Sequence, residues 1–122
     1  MSSTVWLKLF NSNTGKVLLL EDDYISFTSV IPDLKDECIK LNVMIINEMV
    51  DYGDAAEGMA DDIPDDIEMQ KFTQVQISEA IRTLSALNRY GNEAVRNDIK
   101  GMLKTLTENS KDYDGMALVF IL

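Results

Sequence analysis

The sequence contains no histidine, and Cys38 is its only cysteine. Counting alone therefore excludes a disulfide within the chain, a cysteine cluster, an imidazole metal ligand and a nucleophile served by a histidine base. Prolines number only 2 and aromatic residues make up 7% of the chain. No apolar run approaches the roughly 18 residues that a bilayer crossing requires. Met1-Ser2-Ser3-Thr4 leads into a strand pattern without the basic and apolar regions of a secretory leader. A cytoplasmic location is the resulting expectation. Basic residues are also scarce, 11 against 21 acids for a formal charge of −10. Nucleic acids and anionic membranes are held by Lys and Arg, so neither is an expected partner.

The chain does have enough apolar material for a core. Its 122 residues are 46% hydrophobic and 26% charged, which suits one compact domain over residues 1–122. Val5, Leu7 and Leu9 alternate with Trp6, Lys8 and Phe10, and Val17-Leu18-Leu19-Leu20 follows the turn-forming Asn11-Ser12-Asn13-Thr14-Gly15. That pattern predicts a β-hairpin over residues 5–21. Pro32 and Asp33 suit a helix start, and Leu34, Cys38, Leu41, Ile45, Met49 and Tyr52 recur near a 3.6-residue period up to Gly53. A long helix over 32–52 is expected, although Val43-Met44-Ile45-Ile46 is equally compatible with a buried strand.

Residues 51–68 hold Asp51, Asp54, Glu57, Asp61, Asp62, Asp65, Asp66 and Glu68 and no base. They carry −8 of the total −10, and the remainder, with 13 acids and 11 bases, is nearly balanced. Gly53, Gly58 and Pro64 in the same stretch weaken any regular element and predict an exposed acidic loop. Beyond it, Ile77, Ala80, Ile81, Leu84 and Leu87 form one apolar stripe, and Val95, Ile99, Met102, Leu103 and Leu106 form another. Gly91 between them stops the first helix and Asn92 is a fitting N-cap for the second, which predicts an antiparallel helical hairpin. Met116 to Leu122 is an unbroken apolar run after the turn-like Asp112-Tyr113-Asp114-Gly115 and reads as a strand buried on both faces. The expected fold class is α+β: an N-terminal β-hairpin, a long helix, an acidic loop, a helical hairpin, and a C-terminal apolar strand joining a small sheet.

The acidic stretch lacks the spacing of a calcium loop, because neither Asp51 nor Asp61 is followed by acids and glycine at the EF-hand offsets. Consecutive acids beside glycines stay solvated and ionised, whereas acid–base catalysis needs a pocket that moves two carboxyl pKa values apart. Gly53, Gly58 and Gly101 lie at no phosphate-loop spacing. Cys38 sits on the apolar stripe and reads as a small core hydrophobe. Arg96, Lys100 and Lys104 fall at i, i+4 and i+8, a solvated helix face in the plainer reading and a small docking patch in the sharper one. The 7 methionines read chiefly as core gap-fillers. No enzyme, metal or cofactor is expected from this set.

Several stretches resemble the cullin-ligase adaptors of the BTB/POZ fold, the elongin C group. LKLFNSNTGKVLLLE, residues 7–21, is similar to their first two strands, and IINEMVDYGDAAEGMADDIP, residues 45–64, to their first helix and the acidic loop after it. KFTQVQISEAIRTLSALNRYG, residues 71–91, resembles the next strand and helix, and KDYDGMALVFIL, residues 111–122, the beginning of a later helix. This resemblance implies an adaptor between a cullin and a substrate receptor. A competing one is to ubiquitin-like β-grasp domains, where TGKVLLLE, PDLKDECIKLN and TLTENSKDYDGMALVFIL look like the second strand, the central helix and the closing stretch.

The residues themselves favour a non-enzymatic module that binds a basic protein surface, such as that of a nucleic-acid-binding enzyme. Clustered carboxylates create a field that speeds encounter with cationic surfaces. The candidate contact residues are Asp51, Asp54, Glu57, Asp61, Asp62, Asp65, Asp66 and Glu68.

Overall fold

The computed structural model of the chain describes residues 3–51 and 74–121. Strand β1 (Thr4–Phe10) and strand β2 (Val17–Leu20) form the expected hairpin, antiparallel with Phe10 opposite Val17 and Leu7 opposite Leu20. The alternation has its predicted consequence, since Val5, Leu7 and Leu9 are fully buried while Trp6, Lys8 and Phe10 are half-buried on the other face. Asn11 organises the turn: its side-chain oxygen accepts from the amides of Asn13 and Thr14, and Gly15 takes a φ of +74°.

Two short helices follow, the first ahead of the long helix expected over 32–52 and the second within it. Helix α1 (Ile25–Val30) runs through a 3-10 turn at Ile31–Asp33, carrying Pro32 in its first turn, into helix α2 (Leu34–Leu41). The expected helix over 32–52 is thus cut short at Leu41. Asn42 adopts the left-handed conformation (φ 57°, ψ 47°), and the amides of Asn42 and Val43 turn back to the carbonyls of Ile39 and Cys38. This terminates the helix as a glycine would. Val43–Ile45 then cross half-buried to a 3-10 turn at Ile46–Met49 and a two-residue strand, β3 (Val50–Asp51). Of the apolar run at 43–46, Val43–Ile45 is neither helix nor strand and Ile46 opens the 3-10 turn. The expected acidic loop at 51–68 lies, after Asp51, outside the described residues.

The chain re-enters at Gln74, forms strand β4 (Val75–Gln76), and builds the expected helical hairpin from helix α3 (Ile77–Ala86) and helix α4 (Glu93–Asn109). Asn92 caps α4, its side-chain oxygen accepting from the Val95 amide at 3.0 Å. Strand β5 (Gly115–Ile121) closes the sheet where the terminal apolar run predicted it. The strand order is β2-β1-β5-β3, with β4 also on β5. Strand β5 is antiparallel to β1 along its whole length, parallel to β3 at Leu118–Val119, and antiparallel to β4 at Gly115–Met116. Since β1 occupies one edge of β5, β3 and β4 share the other.

The four described helices contribute to one core on one face of this sheet. Leu7, Leu9, Met116 and Leu118 from the strands meet Phe27, Leu34, Cys38, Leu84, Ile99, Met102 and Leu106 from the helices in a single buried cluster. The first four residues of β5 are buried, consistent with its central place, and Val119–Ile121 are half-buried. Among the described residues no helix is long and apolar enough to cross a membrane. The fold class is α+β.

Candidate functional site

Of the eight carboxylates singled out in the sequence, Asp51 is the one within the described structure. It is half-buried in β3 opposite Val119. Asp54, Glu57, Asp61, Asp62, Asp65, Asp66 and Glu68 lie outside the described residues. What is described is how their segment is anchored. The chain departs at Asp51, opposite Val119, and returns at Val75, opposite Met116. Those two points are three residues apart along β5, or about 10 Å at the rise of an extended strand. Both ends of the acid-dense connection are therefore pinned to the central strand, on the edge that β1 leaves open.

A second group of acids, Glu21, Asp22 and Asp23, is exposed between β2 and α1. Asp23 accepts the indole N–H of Trp6 at 2.8 Å, which fixes the exit of β2 against β1. The positions of these three follow from the hairpin and the start of α1, and they stand at the opposite side of the sheet from β3.

Asp114 is the carboxylate with the most evident chemistry, and sequence reasoning did not single it out. Its two oxygens accept from the Ser12 amide, at 2.8 Å, and from the Ser12 hydroxyl. These bonds hold its carboxyl below the usual carboxylate range. The Asp114 amide donates to the Phe10 carbonyl at 3.0 Å, and its own carbonyl accepts from the Ile77 amide at 2.8 Å. Asn11 adds a side-chain bond to the Asp112 carbonyl at 2.8 Å. The β1–β2 turn is thus tied to the approach of β5 and to the start of α3. The sequence signal was two turn-rich stretches, residues 11–15 and 112–115, and only the β1–β5 pairing brings them together.

A shallow cleft of about 320 Å³ adjoins Asp114, lined by Gln76, Ile77, Ser78, Ile81, Ser110 and Tyr113. Among the described residues Asp114 is the one carboxylate in that lining, and its oxygens are engaged by Ser12, so these residues offer no pair of carboxyls with divergent proton affinities. Among the described residues, no group of three or more acids or cysteines is placed to hold a metal ion.

Cys38 is fully buried, as the apolar stripe predicted. Burial pushes its thiol up, opposed by a backbone hydrogen bond with Ile46 and reinforced by Glu37. A protonated, inaccessible thiol is a core hydrophobe and not a nucleophile. Arg96 is half-buried on α4, while Lys100 and Lys104 are exposed. Asp98, on the same helix, reaches the start of α1, where its Oδ2 accepts from the Phe27 amide at 3.0 Å. No family model matches the chain, and no curated protein or solved structure is significantly similar to it.

Proposed function

We propose that the protein is a non-enzymatic binding module whose acid-dense segment, residues 51–68, engages a basic protein surface, such as the nucleic-acid-binding groove of an enzyme, and so inhibits or regulates that partner. The observation that carries this reading is a concentration of charge. Eight carboxylates without a base hold −8 of the chain's −10, and the connection containing them is secured at both ends to β5. Charge clustered at a fixed root on a folded body raises the rate of encounter with cationic surfaces and disfavours anionic competitors.

The reading is tested by affinity capture from a lysate at low and at high salt. Wild type is run beside a variant carrying Asp61→Asn, Asp62→Asn, Asp65→Asn and Asp66→Asn. The expected result is a basic partner that is lost both with salt and with the variant, and whose nucleic-acid binding the wild-type protein displaces in competition. Recovery that resists salt and survives the four substitutions would overturn it. A cullin or ubiquitin-pathway protein recovered in that way would favour an adaptor role through apolar contacts.

A further inference from the structure

Strand β2 forms the edge of the sheet farthest from β3, and among the described residues no strand pairs with its outer side. Natural edge strands are kept short or are shielded by proline, by charge, by a bulge or by a covering element, and among the described residues β2 has shortness alone. Val17–Leu20 has no proline and no charge, and Val17 and Leu19 are 48% and 43% exposed. The direction of the free groups follows from the hairpin. The Asn11 amide donates to the Lys16 carbonyl, so residues 16, 18 and 20 turn their backbone groups towards β1. Val17 and Leu19 accordingly direct their N–H and C=O outward.

We propose that this edge pairs with the same edge of a second copy of the chain, antiparallel about a two-fold axis at Leu19. A closed two-fold interface requires a self-complementary strip, and charge supplies it here. Lys16 stands at one end of β2 and Glu21, Asp22 and Asp23 stand at the other. With Leu19 opposite Leu19, Val17 faces Glu21 and Lys16 faces Asp22 of the other copy, on the same side of the sheet. A parallel pairing would instead place like charges together. In the single chain the Lys16 ammonium rests 5.9 Å from the centre of the Tyr113 ring. That exposed contact is weak and is exchanged for the ion pair. The product is one continuous sheet across both copies, with the two β3 strands, from which the acid-dense connections depart, at its far ends.

The inference is independent of the proposed function, because β2 and β3 are three strand spacings apart, about 14 Å. A four-residue edge buries far less than a standard interface, so association is expected to be weak and concentration-dependent. It should also strengthen with salt, which screens the repulsion between two chains of charge −10.

Sedimentation equilibrium of the full chain, over a wide concentration range at low and high salt, tests it. The wild type should pass from one to two chain masses, at lower concentration in high salt. Leu19→Lys, which sets two ammonium groups together at the axis, should stay at one mass while melting cooperatively by circular dichroism. Lys16→Glu should weaken association about tenfold, and Lys16→Glu combined with Asp22→Lys should restore it. The four-Asn variant of the acidic segment should associate at least as well as wild type. A wild type of single mass throughout, an undiminished Leu19→Lys dimer, or failure of the double charge reversal to restore a weakened dimer would each overturn the proposal.

Discussion

The Phe27 amide donates to the Asp98 carboxylate at 3.0 Å across 71 residues of sequence. Phe27 is the third residue of α1, where an N-cap side chain would ordinarily accept, and Tyr24 at the cap position makes no such bond. Asp98, on α4, supplies the missing oxygen. Replacing Asp98 by Ala should cost about 1–2 kcal/mol, and by Asn about half as much, since an amide oxygen still accepts without the charge. Urea unfolding checks this, and equal midpoints for all three proteins would refute the assignment.

That bond also explains why α1 was not visible in the sequence while neighbouring elements were. The hairpin and the two later helices are specified locally, by the alternation of Val5, Leu7 and Leu9 and by the Gly91–Asn92 stop and start. Tyr24–Val30 is rich in β-branched and aromatic residues of modest helix propensity, and its start as a helix rests on Asp98, which accepts the Phe27 amide, and on the Thr28 amide bonding to the Tyr24 carbonyl at 2.9 Å. Periodicity over 34–52 misled because Leu41 counts as apolar yet is 39% exposed, while Ile46, off the expected stripe, is fully buried. The available clue was Asn42, one of the few residues that tolerate the left-handed conformation that ends a helix. Of the candidate site, Asp51 is placed and the other seven carboxylates lie outside the described residues. The Ser12–Asp114 pair was hidden because its partners are brought together only by long-range strand pairing.

Alkaline conditions should destabilise the fold. Burial raises the Cys38 thiol above its ordinary 9.0, and it raises the Tyr24 phenol above 10.0, with Asp22 and Asp98 adding to the effect and a Thr105 hydrogen bond opposing it. In both cases the unfolded chain releases its proton first and so binds fewer protons as pH climbs. The stabilisation is complete below the ordinary values and is lost as pH rises through the raised ones. Urea midpoints should therefore fall between about pH 8 and about pH 10.5, and less steeply in Tyr24→Phe. Cys38 should react with a thiol reagent at the rate of global or local opening, and fast reaction in the native state would contradict its burial.

Acid should act through Asp114 with the opposite sign. Its carboxyl is held below 3.8 by the Ser12 hydroxyl first and the Ser12 amide second. The contribution is present above the ordinary carboxylate range and is lost as pH falls through the depressed value. Ser12→Ala removes the larger cause, so the Asp114 titration followed by carboxyl carbon NMR should move upward towards that range. An unchanged midpoint would mean that the Ser12 hydroxyl does not hold the carboxylate.

The two turns offer a paired test of strain against crowding. Gly15 and Gly91 both adopt φ +74°, so a side chain at either position meets the same conformational penalty, about 1 kcal/mol. Their surroundings differ. A Cβ on Gly15 meets nothing within 4 Å, whereas one on Gly91 comes within 3.2 Å of Val95 Cβ and 3.3 Å of both its methyl carbons. Val95 is buried and its amide bonds the Asn92 cap, so it cannot yield without disturbing the start of α4. Gly91→Ala should therefore lower stability by about 2 kcal/mol, roughly twice the loss from Gly15→Ala. Trimming the neighbour separates the causes: Val95→Gly removes all three contacting carbons, so if crowding is responsible for the difference, Gly91→Ala introduced into a Val95→Gly background should cost only about the 1 kcal/mol of the conformational term. An undiminished cost in that background would assign the whole effect to the backbone of the α3–α4 turn.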